Sequence, residues 1–128
     1  VLSPNVVIVQ DPTLLPIMDV FSGLQPDGYG LVNSAKSLEE LGLAELEERS
    51  LPGHIVTIPA TEIALEHLGR PLPNAVLLGG VSALTGIVRL ESVLGAISGR
   101  FAGKVGEANQ EAAKAAFRLV EEMKVDNA

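Results

Sequence analysis

Polar, turn-forming residues follow three short apolar runs in this sequence, and they are the residues best suited to chemistry. They are Asp11, Asn33, Ser34, Thr61 and Glu62. If the apolar runs are parallel strands, their carboxyl ends meet at one edge of a sheet, which is where α/β domains bind ligands. Small hydroxyl and amide side chains and free backbone N–H groups at that edge suit a phosphate or a pantetheine-like ligand.

Each of these residues also has a purely structural interpretation. Asp11 and Thr61 are of types that cap helices, and Asn33 with Ser34 is a pair that shapes turns. The rest of the sequence offers no self-sufficient combination of catalytic residues. It has no Cys and only two His, and no Gly-rich phosphate loop follows a strand. No metal-ligand spacing is present either, so we expect no catalytic residue and no metal site in this chain.

The elements that must position the polar residues are three strands and a series of helices. The strands are predicted at Val6–Val9, Tyr29–Asn33 and His54–Ile58. The β-branched run Val6–Val9 is typical of a strand covered on both faces. Helices are predicted over 16–23, 60–68, 74–84, 90–101 and 105–123, with a short acidic helical turn over 43–50. Ser37 and Glu40 have the spacing of a capping box at the start of a helical segment, and Gly42 is the residue predicted to end that segment.

Strands that alternate with helices indicate a parallel sheet. We therefore predict an α/β fold, a Rossmann-like three-layer domain with a parallel sheet and a helical C-terminal half, in one domain over residues 1–128. Three strands are few for so much helix, and the sequence opens almost directly on a core strand. We expect the sheet to be completed by another polypeptide segment, or the chain to be a fragment of a longer one.

The predicted helix over 74–84 has a stripe of small residues along one side. Ala75, Gly79 and Ala83 fall at i, i+4 and i+8, and Gly80 adjoins them. Each Gly lowers helix propensity by roughly 1 kcal/mol relative to Ala, so its presence predicts that another segment of backbone packs closely against this side of the helix. That approach is either packing within the domain or packing against a partner chain.

Composition limits the classes of partner. Apolar residues make up 47% of the 128 residues, which is typical of a globular domain. The net charge is -7 and there is no Trp, so we expect no nucleic-acid partner. The longest apolar run, over 75–88, is too short for a membrane span, which needs about 20 residues. We expect a cytoplasmic protein without membrane contact, since the lack of Cys fits that compartment.

Several segments follow one another in the order of a known family. They are Pro4–Leu15, Gly30–Ser34, Ile58–Ala64, Pro73–Gly86, Leu90–Ser92 and Lys104–Asn109. Together they resemble the gamma subunit, or gamma domain, of the 2-oxoacid:ferredoxin oxidoreductases, and the resemblance extends over nearly the whole chain. The family's usual first strand and Gly-rich loop of the G-x-G-G-x-G kind are not found here. The chain thus resembles the later two-thirds of a gamma unit.

The resemblance implies a complex that oxidatively decarboxylates pyruvate or a branched 2-oxoacid with coenzyme A. Its products are acyl-CoA, carbon dioxide and reduced ferredoxin. The complex is expected to use thiamine diphosphate, Mg, iron–sulfur clusters and coenzyme A, none of them bound by this chain alone. The expected partners are alpha, beta and delta-type subunits, and ferredoxin through the complex. The gamma part is an accessory domain implicated in presenting coenzyme A.

Two sets of residues receive roles from the resemblance. The rim that faces coenzyme A or the active site is expected at Asp11, Asn33, Ser34, Pro59, Ala60 and Thr61. Helix packing at or near a subunit contact is expected at Asn74, Gly79, Gly80 and Thr85. The alternative function is a stand-alone nucleotide- or acyl-CoA-binding module without redox partners, and a purely structural spacer is a third.

Overall fold

The computed structural model describes residues 6–11, 21 and 24–126 of the chain, apart from the side chains of 125 and 126. The strands are β1 (Val6–Val9), β2 (Tyr29–Asn33) and β3 (Ile55–Ile58). The helices are α1 (Ala44–Arg49), α2 (Ala60–Leu68), α3 (Asn74–Thr85), α4 (Leu90–Arg100) and α5 (Gly103–Asp126). The helix predicted over 16–23 falls outside the described ranges, apart from Phe21.

The three described strands form one parallel sheet in the order β1-β2-β3. The register pairs Val9 with Val32, and Asn33 with Ile58, so the carboxyl ends of all three strands lie at the same edge. The predicted α/β fold with a parallel sheet and a helical C-terminal half is confirmed. The third strand begins at Ile55 rather than at His54.

Apolar side chains of β2 and β3 are buried on both faces of the sheet. In β1, by contrast, Ile8 is 41% exposed, so the prediction that Val6–Val9 is covered on both faces is wrong for the residues described. On one face, Leu31 and Ile58 pack in a buried cluster with α2, α3 and α5. On the opposite face, Val32 and Ile55 are buried with Phe21 and with side chains of α1 and the turn before it. The sheet is thus the middle of three layers, as in folds with parallel sheets covered on both sides.

The predicted capping box before α1 is present. The Ser37 backbone N–H donates to Glu40 Oε1 at 2.9 Å, and the Glu40 N–H donates to Ser37 Oγ at 3.1 Å. Hydrogen bonds from the Ser37 backbone N–H and, second, from its side chain lower the pKa of the Glu40 carboxyl, since they favour its charged form. The box opens a series of turns rather than a regular helix, and Gly42 (φ +79°) ends it before α1 begins at Ala44.

The small-residue stripe of α3 packs inside the domain. A Cβ on Gly79 would clash with the carbonyl oxygen of Ala113 in α5 and lie 2.9 Å from its Cα. A Cβ on Gly80 would lie 3.0 Å from Ile58 Cδ1 in the sheet. The backbone of α3 therefore lies close against both α5 and β3. This chain's own elements account for the two glycines without a second chain.

Apolar residues on most sides of α3 are buried, as expected for a helix enclosed by the sheet and other helices. Across the described residues, no helix has the combined length and apolarity needed to cross a lipid bilayer.

Gly79→Ala tests the close approach of α3 and α5. We expect it to lower the free energy of unfolding by about 1–3 kcal/mol, because overpacking against a fixed backbone outweighs the roughly 1 kcal/mol gain in helix propensity. Gly95→Ala in α4 is the matched control, since a Cβ there meets nothing within 4 Å. It should leave stability unchanged or raise it. Urea unfolding of both variants measures the difference, and equal midpoints would contradict the close contact.

Candidate functional site

A cleft of about 620 Å³ lies at the carboxyl edge of the sheet. Residues that follow each of the three strands line it, together with two prolines from the connection between α2 and α3. They are Gln10, Asp11, Asn33, Ser34, Ala35, Pro59, Thr61, Glu62, Pro71 and Pro73. This is the edge at which open parallel sheets bind ligands, so the cleft is the candidate functional site.

The Asn33 side chain holds the three strand ends together. Its Nδ2 donates to the Gln10 carbonyl oxygen at 2.9 Å and to Thr61 Oγ1 at 2.8 Å. Its Oδ1 accepts from the Thr61 backbone N–H at 3.2 Å, where α2 begins. One amide therefore links the ends of β1 and β2 to the first turn of α2. Asn33 therefore lines the cleft and also joins the segments that form it.

Two further contacts complete the rim. The Ser34 backbone N–H donates to the Ile58 carbonyl oxygen at 2.9 Å, which extends the pairing of β2 with β3 past the end of the strand. Ser34 Oγ accepts from the Lys36 N–H at 3.0 Å, a local turn contact. Gln10 Nε2 donates to Asn74 Oδ1 at 3.0 Å and so joins the end of β1 to the first residue of α3.

The structure brings together most of the rim predicted from the sequence. Asp11, Asn33, Ser34, Pro59 and Thr61 all line the cleft. The exception is Ala60, which is fully buried in the core with the helical face of the sheet. As the first residue of α2, it turns inward while its neighbours on either side face the cleft.

The second predicted set does not form one surface. Asn74 lies beside Gln10 at the start of α3, whereas Gly79 and Gly80 are buried in the middle of the helix. Thr85 is at the far end of α3, where Oγ1 donates to the Val81 carbonyl oxygen at 2.9 Å. Gln10 itself was not singled out from the sequence. The available signal was its position directly after β1, next to Asp11.

Charge at the cleft is negative. Asp11 and Glu62 are both exposed and line it, and no Lys or Arg is among the described lining residues. Carboxylates in a cleft repel phosphate groups and accept hydrogen bonds from neutral donors. The hydroxyls and amides of Asn33, Ser34 and Thr61 supply further polar groups. The cleft therefore suits an uncharged chain with its own amide and hydroxyl groups better than it suits a phosphate.

The two imidazoles do not contribute to this site. The His54 ring stacks on Tyr29 with the ring centroids 4.1 Å apart, at the amino end of the strands and opposite to the cleft. His67 lies on α2 near its far end. Among the described residues, no group of three or more His, Asp or Glu is arranged to hold a metal ion.

Comparisons with known proteins agree with this geometry. The sequence model of the pyruvate ferredoxin/flavodoxin oxidoreductase family matches residues 1–119. The pyruvate/ketoisovalerate oxidoreductases common subunit gamma of Pyrococcus abyssi is 46% identical over 114 residues, which cover 89% of this chain and 60% of that protein. Pyruvate synthase subunit PorC of Methanothermobacter thermautotrophicus is 39% identical over 126 residues, 98% of this chain and 64% of that protein.

A solved structure is also similar. The crystal structure of pyruvate oxidoreductase subunit PORC from Thermotoga maritima matches with a TM-score of 0.76 at 34% identity, covering 92% of this chain and 64% of that one. This chain therefore belongs to the pyruvate ferredoxin/flavodoxin oxidoreductase family, and the resemblance to its gamma subunits is confirmed. The chain spans 60–64% of the length of these relatives.

Asn33→Asp tests the network at the cleft. A carboxylate cannot donate to the Gln10 carbonyl oxygen, which loses its partner, whereas the Thr61 hydroxyl can turn and donate to the carboxylate. We expect the free energy of unfolding at neutral pH to fall by about 0.5–1.5 kcal/mol. Thr61→Ser is the control, because it keeps the hydroxyl oxygen that accepts from Asn33, and its effect should be within about 0.5 kcal/mol. Denaturation curves that coincide for Asn33→Asp and the parent chain would refute the linking role.

Proposed function

We propose that this chain is part of the gamma-type component of a thiamine diphosphate-dependent 2-oxoacid:ferredoxin oxidoreductase. The complex oxidatively decarboxylates pyruvate or a related 2-oxoacid. The acyl group passes to coenzyme A, the carboxyl group leaves as carbon dioxide, and the electrons reduce ferredoxin. Family membership supports the complex, and the polar cleft at the carboxyl edge of the sheet supports a role for this chain in binding one of its reactants.

The residues of this chain do not fit the redox and thiamine groups. The sequence has no Cys, so it offers no thiolate ligands for an iron–sulfur cluster. The described residues hold no cluster of acidic side chains or His for the Mg ion that accompanies thiamine diphosphate. We therefore assign these groups to the alpha-, beta- and delta-type subunits.

The cleft fits the pantetheine arm of coenzyme A. That arm is uncharged and has two amides and a hydroxyl along an alkyl chain. The hydroxyls of Ser34 and Thr61 and the remaining lone pair of Asn33 Oδ1 match these groups, whereas both Nδ2 hydrogens of Asn33 are used within the domain. Pro59, Pro71 and other apolar parts of the cleft wall give the alkyl segments a rigid surface. The carboxylates keep the phosphate end outside the cleft. The convergence of three strand ends on this one polar cleft is the observation on which the assignment depends.

Anaerobic purification of the native protein that contains this chain tests the proposed complex. We expect a large brown particle that contains iron–sulfur clusters and thiamine diphosphate and consumes a 2-oxoacid only in the presence of coenzyme A. Native mass, visible absorbance and cofactor analysis provide the readouts. A colourless particle of one or two chains would contradict the proposal and favour the stand-alone nucleotide- or acyl-CoA-binding module.

Ala35→Phe tests the cleft itself. Ala35 is exposed and lines the cleft, and it has a small side chain, so a phenyl ring there would occupy the space proposed for the pantetheine arm. We expect the KM for coenzyme A in the assembled complex to rise about tenfold while the KM for the 2-oxoacid is unchanged. The matched control is Ala44→Phe, at an exposed alanine on α1 outside the cleft lining. Equal coenzyme A KM values in the two variants would count against the assignment.

A further inference from the structure

A second groove, of about 680 Å³, lies among α3, α4, α5 and the connection from α2 to α3. Its lining residues come mainly from these helices, and none of them lines the cleft described above. Residues 70–74 contribute alternately to the two sites. Pro71 and Pro73 line the cleft, whereas Arg70, Leu72 and Asn74 line the groove. The two sites are therefore neighbours on either side of one short connecting segment.

The groove exposes large apolar side chains. Leu72 is 57% exposed, Val105 58%, Leu78 48% and Phe101 37%. Single exposed apolar residues are ordinary, but a group of them around one groove marks an interaction surface. These side chains stand well out of the surface instead of enclosing a small chamber. That favours coverage by a polypeptide over enclosure of a small molecule.

The groove is also positively charged, in contrast to the chain as a whole. Arg70, Arg100 and Lys104 line it, and no Asp or Glu is among its described lining residues. The whole chain has only nine Lys and Arg against sixteen Asp and Glu. Among the described residues, the ion pair present is Lys114 with Glu111, so the three cations of the groove have no carboxylate partner within the described part of the chain.

We propose that this groove docks a polypeptide segment of another subunit of the oxidoreductase, in which apolar side chains are flanked by Asp or Glu. The identity of the partner rests on the proposed function. Charge complementarity selects the sequence chemistry: carboxylates meet Arg70, Arg100 and Lys104 while apolar side chains cover Leu72 and Val105.

A second copy of this chain is a poorer occupant. A two-fold contact through the groove would place the groove of one copy against that of the other. The cations of both copies would then lie together, and like charges across an interface oppose binding. An acidic segment of a different subunit avoids this repulsion.

Lys104→Glu in the assembled complex tests the charge. A glutamate near the first turn of α5 favours the helix dipole, so the variant should fold normally, which circular dichroism checks. We expect its affinity for the other subunits to fall about tenfold or more, measured as the assembled fraction across a dilution series. Arg118→Glu is the matched control, since Arg118 is an exposed cation on the same helix outside the groove. Equal assembly of the two variants would overturn the proposal.

A cross-link tests the location and identifies the occupant. Since these 128 residues contain no Cys, Val105→Cys supplies a defined thiol for a maleimide–benzophenone reagent. We expect photocross-linking in the complex to join it to an acidic, apolar peptide of another subunit. Ile87→Cys, at a side chain 66% exposed outside the groove, should not give that product. A cross-link to a second copy of this chain, or the same product from both positions, would refute the docking site.

The outcomes separate this inference from the proposed function. A brown, active complex in which Lys104→Glu assembles as well as Arg118→Glu would overturn the docking groove and leave the oxidoreductase assignment intact. Recovery of the unmodified protein as a colourless particle without other subunits would overturn both.

Discussion

The close approach of α3 to α5 is the constraint on which the helical half of the domain depends. At Gly79 the two backbones are too close for a Cβ, and at Gly80 the same helix lies directly on the sheet. Buried alanines such as Ala112 and Ala116 give α5 an equally small face toward this packing. Helix α3 is thereby held between two layers, and this fixes the position of its first residue, Asn74. That position allows the hydrogen bond to Gln10 at the end of β1.

The gross fold could be predicted from the sequence because its determinants are local. Continuous β-branched runs, helical periodicity and the residues at element ends indicate strands and helices with little reference to the rest of the chain. The location of the cleft followed from topology alone, since parallel strands place all their carboxyl ends at one edge. The polar residues directly after each strand were therefore brought together as expected, with Thr61 and Asn33 in direct contact.

Other features depend on tertiary geometry and left no local signal. The contacts of Asn33 require the register of three strands, and the inward turn of Ala60 requires the angle at which α2 leaves β3. The glycines of α3 predicted a close approach, either within the domain or against another chain, because a stripe of small residues has the same pattern in both cases. The basic groove was missed because its cations come from two separate parts of the chain, Arg70 on the one hand and Arg100 with Lys104 on the other.

The two sites carry opposite charge and lie next to one another. A cleft with Asp11 and Glu62 and a groove with three cations lie on opposite sides of residues 70–74. Pro71 and Pro73 fix φ at two positions of that segment, so it can couple the two sites with little freedom between them. Under the proposed function, a reactant in the cleft meets a reactive group on another subunit. A partner held in the groove by its carboxylates would then border the cleft. Under that proposal, the proximity of the two sites gives this domain a direct way to align the reactant with the partner subunit.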